Sequence, residues 1–109
     1  MTWLVRGEDV LAVAEVAASR RARTRGLAGR DDVEGAIVIR PCRQVHTFGM
    51  RFPIDVAFCD REGFVLHMTC MTRRRVSRLV WRSAFVIEAR AGSFERWKLA
   101  PGDVVEIKG

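Results

Sequence analysis

Apolar side chains recur along this chain with the spacing that is typical of β-strands. The run from Val10 to Ala17 is short and rich in β-branched residues, although its alanines leave a helix open. Ala36 to Ile39 is apolar throughout and is followed by polar residues. Because a short, continuous apolar run bounded by polar residues is typical of a fully buried strand, we predict strands in both segments.

The longest alternating stretch runs from His46 to Cys59, within the segment "CRQVHTFGMRFPIDVAFCD". Such period-two alternation indicates a half-buried strand. Gly49 and Pro53 argue against one straight strand, because proline lacks the ladder donor and glycine often marks a bulge. We therefore expect two strand segments with a bend near 51–53, followed by a hairpin turn in which Gly63 supplies a positive φ.

Helical signals are fewer than strand signals. Ser19 precedes "RRARTRGLAGR" and is a good N-cap residue, while Gly26 or Gly29 can end the helix. A second, short helix is predicted in "SFERWKL", opened by Ser93. Further strands are predicted in the hairpin partner, in "SAFVIEARAG" and after the turn of "APGDVVEIKG". This order predicts a single α+β domain over residues 1–109, mostly β, built as a small β-sandwich or a partly open β-barrel with one main helix near the N-terminus.

Composition narrows the class of protein. The chain has 109 residues, 49% of them apolar, which is enough for one core without disulfides or metal. No apolar run approaches the roughly 20 residues that cross a bilayer. The first residues lead straight into strand-like sequence, so we expect no secretory signal and no membrane partner. Three cysteines without a CxxC pair predict free thiols and a cytoplasmic protein.

The net charge of +6 comes from 19 basic against 13 acidic residues, and the basic residues are mostly arginine. A basic surface can bind nucleic acid, and the run "RRRVSR" is the obvious place for it. Weak nucleic-acid association through this connection, 73–78, therefore stays an alternative, with the helix arginines adding to it. Single-strand binding also needs aromatic rings for stacking, and only Trp81 is near. A solvated connection explains the run equally well.

Four segments resemble the DUF192 family of small uncharacterised prokaryotic proteins. They are "R..GLAGR", "VHTFGMRFPIDVAFCDREG", "FVIEARAG" and "LAPGDVV", and they follow the family's order over most of the chain. The resemblance implies a compact, mostly β domain with one helix, and it supplies no reaction. Many members of the family carry a leader segment, which we do not expect in this chain. The variant "TFGMRF" around the central methionine occurs in part of the family.

Cys42, His46 and Met50 form a set of soft and borderline metal ligands spaced four residues apart. On a strand four residues span about 13 Å, so three ligands at this spacing do not reach one ion. We therefore predict no metal and no cofactor. For Met50, simple packing in the core is the alternative to a role as a ligand.

The same segment offers an alternative as an enzyme. A hydrolase or transferase could use His46 with Asp55 or with Cys42, since a nucleophile needs an adjacent base that a third group orients. A bulge at Gly49 would bring Asp55 to the face of His46. No glycine-rich elbow or oxyanion motif accompanies these residues, so we lean against an enzyme.

Two carboxylates interrupt apolar runs, Asp55 in "FPIDVAF" and Glu88 in "FVIEA". Because an isolated buried charge is costly, each needs an arginine or several backbone donors, and we predict Arg30 as the partner. His46, Thr47 and Met50 lie on the neighbouring apolar stretch and could line a cleft with them. We therefore expect a binding module for a small ligand or a protein partner, with these six residues as its candidate site.

Overall fold

The structure, a computed structural model, describes all residues from 1 to 109. It contains seven strands and two short helices. In chain order these elements are β1 Thr2–Arg6, β2 Asp9–Ala17, α1 Arg20–Arg25, β3 Ala36–Ile39, β4 Ile54–Cys59, β5 Val65–Met71, β6 Phe85–Arg90, α2 Ser93–Trp97 and β7 Glu106–Lys108.

All seven strands belong to one sheet in the order β5-β4-β6-β3-β2-β1-β7. The β2–β3 pair is parallel and the other pairs are antiparallel. Beyond the two edge strands, Phe64 pairs with Val104, and the N–H of Val65 donates to the carbonyl of Asp103 at 2.8 Å. The sheet therefore curls into a half-barrel. The predicted mostly β class is confirmed, while the alternative of a two-sheet sandwich is wrong.

The central strands β3, β4 and β6 are buried on both faces of the sheet. Ile37, Val56 and Phe58 belong to a core on the first face, which loop residues also join. Ala57 and Ile87 belong to a core on the second face, which residues from both edges of the sheet join. Successive side chains of a strand point to opposite faces, so neighbouring residues of β4 and β6 enter different cores.

The long alternating stretch forms one strand segment instead of the two that we predicted. Only its second half is β4, while His46 makes a single bridge to Val76. Gly49 has φ +80, a turn conformation that is available to glycine at little cost. Met50 and Phe52 still pack in the first core, whereas Phe48 is largely exposed. The alternation therefore reflects the burial of loop side chains as well as a strand.

Both helices are short, so the single main helix that we predicted is replaced by two of similar size. Ser19 caps α1, and its Oγ accepts from the N–H of Ala22 at 3.1 Å. Gly26 ends this helix with φ +51 and ψ −125, a combination that residues with a side chain rarely adopt. Neither helix is long and apolar enough to cross a membrane.

Candidate functional site

An open cleft lies between α1 and the segment Pro41–His46, with the side chain of Glu88 at its floor. Its volume is about 380 Å³, within the range of small-ligand sites. Four arginines, three from α1 and one from the facing segment, supply most of its charge. The polar and reactive residues that line it are Arg20, Arg23, Thr24, Arg25, Cys42, Arg43, Gln44, His46 and Glu88.

Glu88 is the most unusual residue of the cleft. It lies on β6 opposite Ile37 and Val56, so its side chain enters the first core and is only 1% exposed. Its Oε1 atom has no hydrogen-bond partner in the protein. Burial raises the pKa of this carboxyl to about 7, although the backbone N–H of Leu27 favours the ionised form. Glu88 can therefore accept or donate a hydrogen bond near neutral pH.

Gly26 gives the Glu88 carboxyl its space. A Cβ atom at position 26 would lie 2.9 Å from Oε1 and 3.5 Å from Cδ1 of Ile39. Such a contact with the carboxylate oxygen is closer than real Cβ atoms approach. The glycine that ends α1 thus leaves room for the unpartnered oxygen, which is buried beneath the lining of the cleft.

The cleft arginines lack acidic partners. The four ion pairs of the protein join Arg6, Arg30, Arg51 and Arg90 to carboxylates, and none of these arginines lines the cleft. Arg23 donates from Nη1 to the carbonyl of Pro41 at 3.2 Å, while its buried Nε has no partner. The guanidinium groups of the cleft therefore form no ion pair with an acidic side chain of the protein.

Cys42 is half-buried, and its thiol donates to the carbonyl of Gln44 at 3.2 Å. Burial raises the pKa of this thiol, and the Glu88 carboxyl raises it further, while Arg23 acts in the opposite direction. A nucleophilic cysteine needs a lowered pKa, because the thiolate is the reactive form. Cys42 is thus a protonated thiol at neutral pH.

His46 and Met50 also line the cleft. Nδ1 of His46 accepts from the N–H of Phe48 at 3.2 Å, and the two rings lie 5.5 Å apart. Met50 is buried and packs in the first core. Of the six predicted site residues, the cleft brings together His46, Met50 and Glu88.

Thr47, Asp55 and Arg30 lie elsewhere. The hydroxyl of Thr47 donates to the carbonyl of Thr72 and accepts from the N–H of Arg75, both at 2.7 Å, so it fastens two loops together. Asp55 enters the second face of the sheet, opposite to that of Glu88.

The predicted pairing of Arg30 with Asp55 or Glu88 is wrong. Arg30 forms a bidentate pair with Glu15, at 2.6 Å for the shorter contact. Oδ2 of Asp55 accepts from the backbone N–H groups of Gly92 at 3.0 Å and Phe94 at 3.1 Å, at the start of α2. Backbone donors, the second possibility that the sequence left open, therefore stabilise Asp55.

The positions of these residues also bear on the enzyme, metal-site and nucleic-acid alternatives. Asp55 is bonded to α2, and no hydrogen bond joins His46 to Asp55 or to Cys42. No group of three or more His, Cys, Asp or Glu side chains is placed to hold a metal ion. Arg73, Arg74, Arg75 and Arg78 are exposed and lie outside the cleft.

Sequence reasoning counted the helix arginines only toward a nucleic-acid surface, and it assigned neither the cleft arginines nor Gly26 to the predicted cleft. Arg20, Arg23 and Thr24 lie three and four residues apart, a spacing that places side chains on one helix face. Arg23 and Gly26 also belong to the segment "R..GLAGR". Those two signals together could have indicated the helix face that borders Glu88.

Comparisons with known proteins agree with the fold. The model of the DUF192 family, described as "Uncharacterized ACR", matches residues 3–107. A crystal structure of a protein of unknown function from Novosphingobium aromaticivorans is similar with a TM-score of 0.82 and 19% identity, over 96% of this chain and 82% of that one. A crystal structure of a protein from Sinorhizobium meliloti, proposed to be a transcription regulator, is similar with a TM-score of 0.78 and 20% identity. This similarity covers 96% of this chain and 90% of that one. No curated protein matches the chain.

Proposed function

The chain belongs to the DUF192 family, whose description names no activity, and from its geometry we propose that the domain is a binding module for a small anionic ligand. The ligand lies in the cleft between α1 and Pro41–His46. Its anionic group contacts the arginines and shares one proton with the carboxyl of Glu88. The observation that carries this proposal is the buried, unpartnered Oε1 of Glu88 at the floor of the cleft.

The state of Glu88 supports a ligand because buried polar atoms almost always have a hydrogen-bond partner. The side chain of Glu88 lines the cleft, and no protein donor meets its Oε1. An acidic oxyanion such as hydrogen phosphate can donate its own proton to an ionised Glu88. It can also accept from a neutral Glu88. One shared proton therefore satisfies both groups.

The arginines support an anion. Guanidinium groups present donors in a planar fork that fits carboxylate and phosphate oxygens. Arg20, Arg23 and Arg43 form no ion pair within the protein. A cleft with four arginines and one titratable carboxyl attracts anions, and most strongly those that bring a proton to the carboxyl.

Binding suits the cleft better than catalysis. The raised pKa of the Cys42 thiol opposes a nucleophilic role, and His46 uses Nδ1 to accept from Phe48. Hence Cys42 is not activated as a nucleophile, and His46 is hydrogen-bonded to neither Cys42 nor Asp55, the partners that the enzyme alternative needs. The cysteines Cys42, Cys59 and Cys70 are free thiols, which suits a reducing compartment, so we place this binding module in the cytoplasm.

The experiment compares phosphate with sulfate by amide NMR titration at pH 8. The two anions have similar size and shape, but hydrogen phosphate retains a proton and sulfate has none. We expect saturable phosphate shifts at Gly26, Gln44 and His46, and much weaker sulfate binding, because an ionised Glu88 repels an anion without a proton. In Glu88→Gln the amide donates to either anion, so the preference for phosphate disappears.

Arg20→Gln and Arg73→Gln form a matched pair for the site. Both remove one exposed arginine, but only Arg20 lines the cleft. We expect Arg20→Gln to weaken phosphate binding at constant ionic strength, while Arg73→Gln binds as the wild type does. Equal effects of the two variants, or shifts spread over the whole basic surface, would refute the proposed site.

A further inference from the structure

A second groove adjoins the cleft and shares Pro41, Cys42 and Arg43 with it. This groove has a volume of about 900 Å³ and is more open than the cleft. Its most conspicuous side chain is Trp81, which is 72% exposed. The remaining residues that line it are Asp60, Arg61, Glu62, Arg82, Ser83 and Ala84.

We propose that the cleft and this groove together bind a nucleotide, with its terminal phosphate in the cleft and its base stacked on Trp81. This inference rests on the proposed function, because the phosphate is the anionic group assigned to the cleft. It adds the chemical class of the ligand and a second contact surface.

Charge decides which end of the nucleotide lies where. The groove holds three arginines against two carboxylates, whereas the cleft holds four arginines against Glu88 alone. In the groove, Oδ1 of Asp60 already accepts from the N–H groups of Glu62 and Phe64, so Asp60 serves the hairpin turn. The phosphate is therefore attracted to the cleft, and the less charged groove is left for the ring.

The exposed indole supplies the surface that a base needs. Bases stack on aromatic side chains without strong sequence preference, because every base presents a π-face. Arg61 and Arg82 line the same groove and can extend the stack, since guanidinium planes pack on aromatic rings. Arg43, common to both pockets, lies where it can contact the phosphate and the sugar side of one ligand.

Glu88 favours a terminal phosphate over a phosphodiester. A phosphomonoester has a second pKa of about 6, so near neutral pH it can share one proton with a neighbouring carboxyl. A phosphodiester has no such proton to share. The ligand is therefore a nucleoside monophosphate or the phosphorylated end of a single strand, and the two sources have the same recognition chemistry.

The test measures adenosine 5′-monophosphate against ribose 5-phosphate at pH 6.5, by amide and indole NMR titration. Both carry the phosphomonoester and the sugar, but only the first carries a base. We expect both to shift the amides of Gly26 and Gln44, and only the nucleotide to shift the indole N–H of Trp81. The base should tighten binding about tenfold.

Trp81→Leu and Trp3→Leu are the matched variants, because Trp3 is a second exposed tryptophan outside both pockets. We expect Trp81→Leu to abolish the tenfold preference while ribose 5-phosphate still binds. Trp3→Leu should retain the preference. Equal affinity for the two probes in the wild-type protein overturns the nucleotide inference but leaves the anion site intact. Failure of both probes to shift the cleft amides overturns the proposed function as well.

Short oligoadenylates separate the two sources. Tighter binding of the 5′-phosphorylated strand than of the nucleotide supports a strand end as the ligand. Binding of the nucleotide alone supports a free nucleotide. Equal binding of phosphorylated and unphosphorylated strands contradicts the proposal, because internal phosphodiesters would then account for the affinity.

Discussion

Asp55 and Glu88 are both buried carboxylates on adjacent central strands, yet their surroundings differ completely. Asp55 enters the second face of the sheet and accepts two backbone hydrogen bonds from the start of α2. Glu88 enters the first face and leaves Oε1 without a partner beside an open cleft. Asp55 thus anchors α2 to the sheet, whereas Oε1 of Glu88 has no partner within the protein and is left for a ligand.

The difference shows that burial of a carboxylate does not by itself indicate a binding site. Two backbone N–H groups already donate to Oδ2 of Asp55, so this carboxylate needs no arginine. Glu88 has only the opposing influence of one N–H, and desolvation dominates its pKa. The number of available donors, and whether the remaining oxygen faces a cavity, separates the two roles.

Glu88→Gln should change the pH dependence of stability more than any other single substitution in the cleft. The folded pKa of Glu88 is about 7, above the value of 4.5 that is usual for a glutamate. Because the folded pKa of Glu88 is raised, the stability that this carboxyl contributes is fully present below the pKa of the unfolded chain. That stability is lost as the pH rises through 7. Between pH 5 and pH 8 we expect the wild-type protein to lose about 2–3 kcal/mol relative to the variant. Urea unfolding at both pH values measures this difference, and parallel pH profiles would contradict the assigned environment.

Asp55→Ala should lower the free energy of unfolding by about 2 kcal/mol at pH 7, because two N–H groups at the start of α2 lose their acceptor. This is less than the roughly 3–5 kcal/mol expected for a broken buried ion pair, since Asp55 has no arginine partner. Asp55→Asn keeps one acceptor oxygen and should lose about half as much. Asp31→Ala, at an exposed carboxylate, is the control. Denaturant unfolding with no loss in Asp55→Ala would refute the capping role.

His46→Ala should cost about 1 kcal/mol or less in stability, because the ring is only partly buried and gives up one hydrogen bond, which it accepts from the N–H of Phe48. Phosphate binding should weaken severalfold, since the imidazole borders the cleft. His67→Ala removes the other histidine, which stacks on Phe58 away from the cleft, and should leave phosphate binding unchanged. Thermal unfolding and the NMR titration separate the effects. A large stability loss with unchanged binding would assign His46 to the scaffold.

Cys42→Ser should have the smallest effect, below about 1 kcal/mol, because the serine hydroxyl can keep the hydrogen bond to the Gln44 carbonyl. Phosphate titration of this variant should give the wild-type affinity. Loss of binding would show that the thiol, and not only the space it fills, belongs to the site.

The sequence by itself determined the local elements of this protein. The apolar runs at β2, β3 and β6 form strands as predicted. Ser19 caps the start of α1, and Gly26 ends this helix. Gly63 takes φ +88 at the hairpin, where a Cβ atom would collide with the carbonyl oxygen of Val105. These features depend on backbone preferences and periodicity within a few residues, so short patterns are sufficient to reveal them.

The tertiary structure alone decided which polar residues meet. Period-two alternation also occurs in the loop before β4, because packing against the first core selects apolar residues there regardless of hydrogen bonding. The donors of Asp55 come from residues 37 and 39 positions later, and Arg30 is bound by Glu15 instead. Glu88 meets α1 because β6 inserts between β4 and β3. Such long-range neighbours are fixed by strand order, and no local pattern encodes which face of the curled sheet receives α1 and which receives α2.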